Sequence, residues 1–417
     1  MNDLRNLPGD PLDSVAIRAQ FPVLQREIKG HRMAFLDSAA SSQKPQRVID
    51  SMSRFYETIN ANVHRGVYEI SEQSTTAVEQ ARRDIARFIG AADAAEVVFT
   101  KNATESLNLV AGSWGRANLG PGDAIVLSML EHHANIVPWH MLAAEKGFEI
   151  RWIPLTDDAQ LDLSSLDTLL DGAKLVGVTA ASNVTGTLTP VRRIADAAHQ
   201  AGAVVCVDAC QFVPHSRCDV EELGADFLAF SGHKMCGPTG IGGLVGRVSL
   251  LERMEPFLGG GEMIDRVSPD MSTWADLPYK FEAGTPDMSG AVGLAAAIDY
   301  LETTGLDRVH AWVSALSAFA AARLAQQPGI RLVSQPPERG GAVSFTMEGV
   351  HPHDLAHLLN EQGVAIRAGH LCCQPLMARL GVPAVARASF AFYNTLEEVD
   401  ALCLAIGRAG RILGHGG

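Results

Sequence analysis

The feature that most narrows the fold is a rhythm of short apolar runs, each closed by polar residues and followed by a helical pattern. Residues 97–100 (VVFT) begin it, and 124–129, 149–154, 174–180, 203–208 and 226–230 continue it. Apolar runs of this length between turn signals read as strands buried on both faces. Alternating with helices, they predict an α/β fold with a mainly parallel central sheet and helices on both faces. Ligands in such sheets gather outside the carboxyl ends of the strands. Thr104, His132, Asn183, Asp208 and Lys234 each fall just past a predicted strand, so they are expected to share one site.

Around this sheet the helices have their own punctuation. Pro45 opens one through Tyr56, a second runs over 71–88 and stops at Gly90, and Thr189–Pro190 cap and start a third that ends at Gly202. A long helix over 289–300 bridges to a region of different pattern. There 314–324 and 352–361 read as helices, 342–347, 364–367 and 385–390 as strands, and Thr395 to Glu398 as a capping box. This part is expected to form a smaller α+β domain. With 417 residues, the chain exceeds one ordinary core. The expected division is a large domain over 22–297 and a small one built from 1–21 and 298–417. Pro8, Gly9 and Pro11 mark an irregular arm before a short helix over 14–20.

The balance of 34 basic and 47 acidic side chains, net −13, argues against nucleic acid or an anionic membrane as the main partner. No apolar run reaches membrane-spanning length, and residues 1–20 lack the pattern of a signal peptide. Seven cysteines, an odd number without zinc-finger spacing, fit a reducing compartment. A cytoplasmic location is expected, with Cys206 and Cys403 as small buried side chains.

Chemistry concentrates in a few stretches. Residues 231–240 (SGHKMCGPTG) hold one lysine between a strand and a glycine-rich turn, where its amine can meet a ligand aldehyde or lie as a surface side chain. Upstream, the run 203–207 ends at Asp208. An acid at one strand end and a lysine beyond the next is the pair a pyridoxal phosphate site needs, the acid serving the pyridine nitrogen. Residues 100–105 turn from a strand into a helix N-terminus, which suits a phosphate or an ordinary cap. His132 and His133 follow a strand, one expected to face the site and the other the interior. Zinc finds no acidic or cysteine partner at local spacing there. In 367–375 (RAGHLCCQP), Cys373 reads as buried and Cys372 as a reactive thiol, favoured by a neighbouring arginine or histidine. Arg387 interrupts an apolar strand, either to pair with a buried acid or to grip a substrate carboxylate.

Taken in order, motifs at 36–40 (LDSAA), 131–139 (EHHANIVPW), 231–240, 281–286 (FEAGTP) and 387–389 (RAS) resemble the class V aminotransferase-like cysteine desulfurases. The likeness is to the SufS and CsdA-like group, which includes selenocysteine lyases, and it runs from 21–24 (FPVL) to 393–395 (YNT). It implies the PLP-dependent transferase fold of type I, with pyridoxal 5'-phosphate as cofactor and L-cysteine converted to L-alanine. Lys234 is then the Schiff-base lysine and the base for the substrate α-proton, Asp208 the partner of the pyridine nitrogen, and His132 the ring stacked on it. Asn183 and Gln211 lie near the phenolic oxygen, while Ala103, Thr104, Ser231 and His233 hold the phosphate. Thr285 reaches the phosphate of the partner subunit in a homodimer with shared active sites. Arg387, with Asn183, binds the substrate, and Cys372 takes its sulfur as a persulfide. No metal is implied. A sulfur-acceptor protein is, in iron-sulfur cluster or other sulfur-compound biosynthesis.

The chain departs from the pattern at Ala209–Cys210, at Cys236 in place of a tyrosine, at Leu371 beside Cys372, and at Ala103 in place of a threonine. These leave open a selenocysteine or cysteine-sulfinate lyase, or an aminotransferase or epimerase of the same fold. A sulfur carrier without turnover and a metal module through His370, Cys372 and Cys373 are the readings from other classes.

Overall fold

A computed structural model describes residues 12–413; the expected arm at Pro8, Gly9 and Pro11 lies outside the described residues. Seven strands form the main sheet: β1 (Val97–Thr100), β2 (Ala124–Ser128), β3 (Glu149–Ile153), β4 (Ala173–Thr179), β5 (Val204–Asp208), β6 (Phe227–Ser231) and β7 (Gly242–Gly246). Their order is β1-β7-β6-β5-β4-β2-β3. β2 through β6 pair parallel, and β7 alone runs against its neighbours β6 and β1. Every residue of β1, β2, β6 and β7 is buried, whereas β3, at the edge, is only half-covered. The apolar runs thus form strands because helices take both of their faces out of water, each enclosed Val, Ile or Leu contributing about 1.5–3 kcal/mol.

Helices α1 (Gln46–Thr58), α2 (Glu69–Ile89), α3 (Ala103–Leu109) and α4 (Val191–Gln200) follow in chain order, then α5 (Met288–Thr304), which packs against α1 and α2. Gly90 closes α2 at φ 72°, a conformation that suits glycine. Thr189 does not cap α4. Pro190 precedes the first turn without a side-chain bond, and the Thr189 hydroxyl is buried without a partner. Proline already fixes the entry, so the threonine cap is not used.

A four-stranded antiparallel sheet follows, made of β8 (Ile330–Leu332), β9 (Ala342–Met347), β10 (Arg367–Gly369) and β11 (Val385–Ser389), in the order β8-β9-β11-β10. Helices α6 (Leu306–Leu324), α7 (Pro352–Asn360) and α9 (Leu396–Ile412) pack on it and on one another, and α8 (Gln374–Leu380) follows the Cys372 loop. Thr395 and Glu398 form the expected capping box. The strand expected over 364–367 divides in two: Val364–Ala365 pairs with Ala34–Phe35, and only the remainder turns into β10. An amino-terminal segment thereby joins the second sheet, with Asp37 bridging to Ser389. Among the described residues no helix is long and apolar enough to cross a membrane.

Candidate active site

The carboxyl ends of β1, β2, β4, β5 and β6 open on one cavity of about 350 Å³. Thr104, His132, Asn183, Asp208, Ser231, His233 and Lys234 line it from the main sheet, and Arg367, Leu371, Cys372 and Arg387 from the second. Two of these are strand ends, Asp208 as the last residue of β5 and Ser231 as the last of β6, and Lys234 closes the single turn after β6. The Asp208 carboxylate is 5 % exposed and accepts the Cys210 N–H at 3.0 Å. Ser231 Oγ accepts the Ala103 N–H at 2.9 Å, tying the start of α3 to the lysine turn. The Cys210 thiol lies against that hydroxyl at 3.7 Å, and burial pushes it up to about 12, so it stays protonated.

Two histidines of the site are held neutral. Burial, then the charge of Lys234, lowers His132 to about 4, and the same two causes with Lys44 lower His233 to about 4. The His233 carbonyl accepts from Lys44 Nζ at 3.0 Å and from the Ser42 N–H at 3.0 Å, which anchors the lysine turn from below. Beneath the turn, Cys236 donates its N–H to Ser42 Oγ at 2.7 Å.

Arg387 enters from β11 and is 3 % exposed. It donates to the Asn183 carbonyl at 2.9 Å and to Asp37 Oδ1 at 3.1 Å, leaving its buried Nε without a partner. Asp37 also accepts three bonds from Arg367, at 2.8 and 3.1 Å on Oδ2 and 3.3 Å on Oδ1. Arg387 thus pairs with an acid, the partly exposed Asp37, and also lines the cavity. Asp37 itself was read only as part of a small-residue turn. Its partners lie about 330 and 350 residues away, and no local pattern carries that pairing.

The loop bearing Cys372 is pinned by the main sheet. Asn183 Nδ2 donates to the Leu371 carbonyl at 2.9 Å, and Asn183 Oδ1 accepts from the buried Cys373 thiol at 3.2 Å. The Asn183 amide is thus engaged with the loop while its residue lines the cavity. Cys372 is the one exposed cysteine of seven, and both it and Leu371 have left-handed backbone, φ 55° and 53°. Held in that sparsely populated region, the turn aims Cys372 into the cavity mouth. His133 does not face the interior as expected. Its N–H donates to the Cys372 carbonyl at 2.7 Å, and its Nε2 accepts from the Gln374 N–H at 3.0 Å. The interior position beside His132 belongs to Glu131, which accepts from Asn135 and the Thr179 N–H, both at 2.7 Å.

Two predicted residues stand apart from the cavity. Gln211 Nε2 donates to the Ala39 carbonyl at 2.8 Å. Thr285 lines a separate cavity of about 520 Å³ with Thr100, Lys101 and Gly240.

The family model described as Aminotransferase class-V matches residues 34–402. The chain belongs to this family. Its class V relatives include a probable cysteine desulfurase of Streptomyces coelicolor, 50 % identical over 407 residues, covering 96 % of this chain and 97 % of the relative. A cysteine desulfurase of Haloferax volcanii is 48 % identical over 414 residues, covering 96 % and 97 %. The crystal structure of the cysteine desulfurase CsdA from Escherichia coli superposes with a TM-score of 0.89 at 41 % identity, covering 96 % of this chain and 99 % of that one. The apo cysteine desulfurase from Thermococcus onnurineus gives 0.90 at 39 %, covering 94 % and 97 %. The fold is thus that of the PLP-dependent cysteine desulfurases, and class V cysteine desulfurases depend on pyridoxal phosphate.

Proposed function

We propose that this class V protein is a cysteine desulfurase that converts L-cysteine to L-alanine and receives the sulfur on Cys372. The observation that carries the reading is the convergence of Lys234, Asp208, Arg387 and Cys372 on one cavity from two separate sheets. Close relatives over nearly the whole chain support it.

The donor set fits pyridoxal 5'-phosphate. A buried carboxylate, an amine and a hydroxyl cluster surround a space of about 350 Å³, the size of a small-ligand site. In this reading Asp208 would serve the ring nitrogen and His132 the ring, and Ala103, Thr104, Ser231 and His233 would hold the phosphate; Asn183 and Gln211 would serve the phenolic oxygen only by exchanging their present bonds to the Cys372 loop and to the Ala39 carbonyl. Bound there, the cofactor supplies an electron sink that weakens the bonds at the substrate Cα. Lys234 carries the cofactor aldehyde and takes the α-proton at its Nζ. Arg387, oriented by Asp37, forks onto the substrate carboxylate. Cys372 Sγ, as thiolate, attacks the substrate sulfur: an S–S bond forms and the substrate C–S bond breaks. The electron pair of that bond passes to the substrate Cβ, which gains a proton, and Lys234 Nζ returns a proton to Cα, giving alanine. A thiol reductant or an acceptor-protein thiol then removes the outer sulfur. Thr285, remote from this cavity, would reach across a homodimer interface to the partner's phosphate. The enzyme belongs, in this reading, to the cytoplasm and to sulfur supply for iron-sulfur clusters or related compounds.

A product assay tests it. The holoenzyme with L-cysteine and a reductant should give equal alanine and sulfide, and Cys372→Ala should reduce this at least a hundredfold. Selenocysteine and cysteine sulfinate, assayed alongside, separate the desulfurase from a lyase that does not need Cys372. No alanine from the holoenzyme contradicts the reading.

A further inference from the structure

A ring nitrogen of His133, a ring nitrogen of His370 and Cys372 Sγ lie within 4.8 Å of one another at the cavity mouth. The two rings face each other with centroids 5.6 Å apart and planes tilted by 32°. Each ring already accepts one backbone N–H. The Gln374 N–H donates to His133 Nε2 at 3.0 Å, and the Cys372 N–H donates to His370 Nδ1 at 3.1 Å.

An accepting nitrogen carries the lone pair, so the proton of a neutral ring sits on the other nitrogen. The loop backbone thereby fixes both tautomers, with N–H at Nδ1 of His133 and at Nε2 of His370. Burial, then the nearness of His370, holds His133 below the usual imidazole range. We propose that His133 and His370 form a two-donor cradle for the sulfur of Cys372, first as thiolate and then as the anionic end of the persulfide. The inference rests on Cys372 being the sulfur acceptor.

The same three atoms could in principle take a soft cation. A metal-bound imidazole, however, normally donates its second N–H to an acceptor. Here the second positions meet backbone donors instead, so metal binding would cost one of these bonds at each ring. The arrangement favours N–H donors over a cation.

The test uses His133→Gln and His370→Asn, alone and combined, in the holoenzyme. Each replacement keeps an oxygen where the backbone N–H is accepted and removes the imidazole N–H. Cys372 is alkylated with iodoacetamide without substrate and followed by peptide mass, and cofactor absorbance confirms the fold. Arg367, Arg387, His132, His233, Lys234 and Asp208 also face this cavity and are unchanged in the variants. One lost charge-assisted bond lowers the thiolate fraction about tenfold, while the less stabilised thiolate becomes about threefold more nucleophilic. Each single variant should therefore react about threefold more slowly near neutral pH and about threefold faster in strong alkali, where all the thiol is ionised, and the combined variant about tenfold in each direction. Equal rates at both pH values overturn the proposal. So does an equal slowing at both, which would mean only restricted access. Stoichiometric zinc on the purified protein, lost in Cys372→Ala, overturns it as well. Should the combined variant fail to fold, the single variants are read by the same crossover. Because alkylation needs no turnover, failure here is distinct from failure of the desulfurase reading, which the product assay reports.

Discussion

Arg387 brings a positive charge into a place nearly closed to water, where burial lowers its proton affinity and Asp37 offsets that in part. One carboxylate oxygen of Asp37 holds this charge, while both accept from Arg367. Removing one partner of a buried ion pair strands the other, at a cost of about 3–5 kcal/mol. Asp37→Ala is expected to lower stability by about 3 kcal/mol, since Asp37 is itself partly exposed, and to raise KM for L-cysteine about tenfold with a smaller change in kcat. Chemical denaturation and steady-state kinetics check both parts. An unchanged KM would mean that Asp37 does not orient Arg387. Lys234 and Asp208 could be read from the chain because each ends an apolar run, and position after a strand is visible locally. Asp37 and His133 could not, because their partners are distant in sequence and adjacency arises only in the folded chain.

Among the elements, α2 is fastened by Arg82, which is 1 % exposed. It donates to Glu282 at 2.6 and 2.9 Å, to Glu79 at 3.1 Å and to the Val97 carbonyl at 2.9 Å, with Phe99 beneath it at 4.4 Å. The helix, the edge strand β1 and the loop of Thr285 are thus locked together. Arg82→Ala should cost about 3–5 kcal/mol, leaving Glu282 buried and unpaired. Burial alone would raise Glu79, but hydrogen bonds from His64 and Arg82 carry it from about 4.5 down to about 2. A depressed carboxylate contributes stability above its unfolded value and loses it as pH falls through the folded one. The stability gap between the parent and Glu79→Gln should be full at pH 7, on the order of 2 kcal/mol, and close between about pH 4.5 and 2. Denaturation at a series of pH values reads this directly; a gap that persists at pH 2 contradicts it. The run-and-helix rhythm was enough to find the strands, but not that β7 runs antiparallel, because buried strands of either direction carry the same apolar run. Likewise 364–367 reads as one strand, and only the pairing of Val364–Ala365 with Ala34–Phe35 divides it.

At the scale of the whole molecule, distant segments of the chain are drawn together over one cavity. Arg18 of the short helix Ser14–Ala19 donates to Glu398 of α9 at 2.8 Å, and both are buried. Its other bonds go to the Leu24 and Met33 carbonyls. Arg18→Met should be tolerated better than Arg18→Ala, since it refills the volume, yet both leave Glu398 to be neutralised. Thermal melting should therefore rank parent, Met variant and Ala variant in that order. The remote position of Thr285 predicts a dimer: sedimentation should report twice the 44.5 kDa chain mass, and a monomer with full activity would remove Thr285 from the site. The central claim remains the amine at Lys234. Borohydride treatment of the purified holoenzyme, followed by peptide mapping, tests it most directly. A pyridoxyl label on Lys234, with loss of alanine formation from L-cysteine, is the predicted result; label on another residue or on none, with activity intact, would contradict the account.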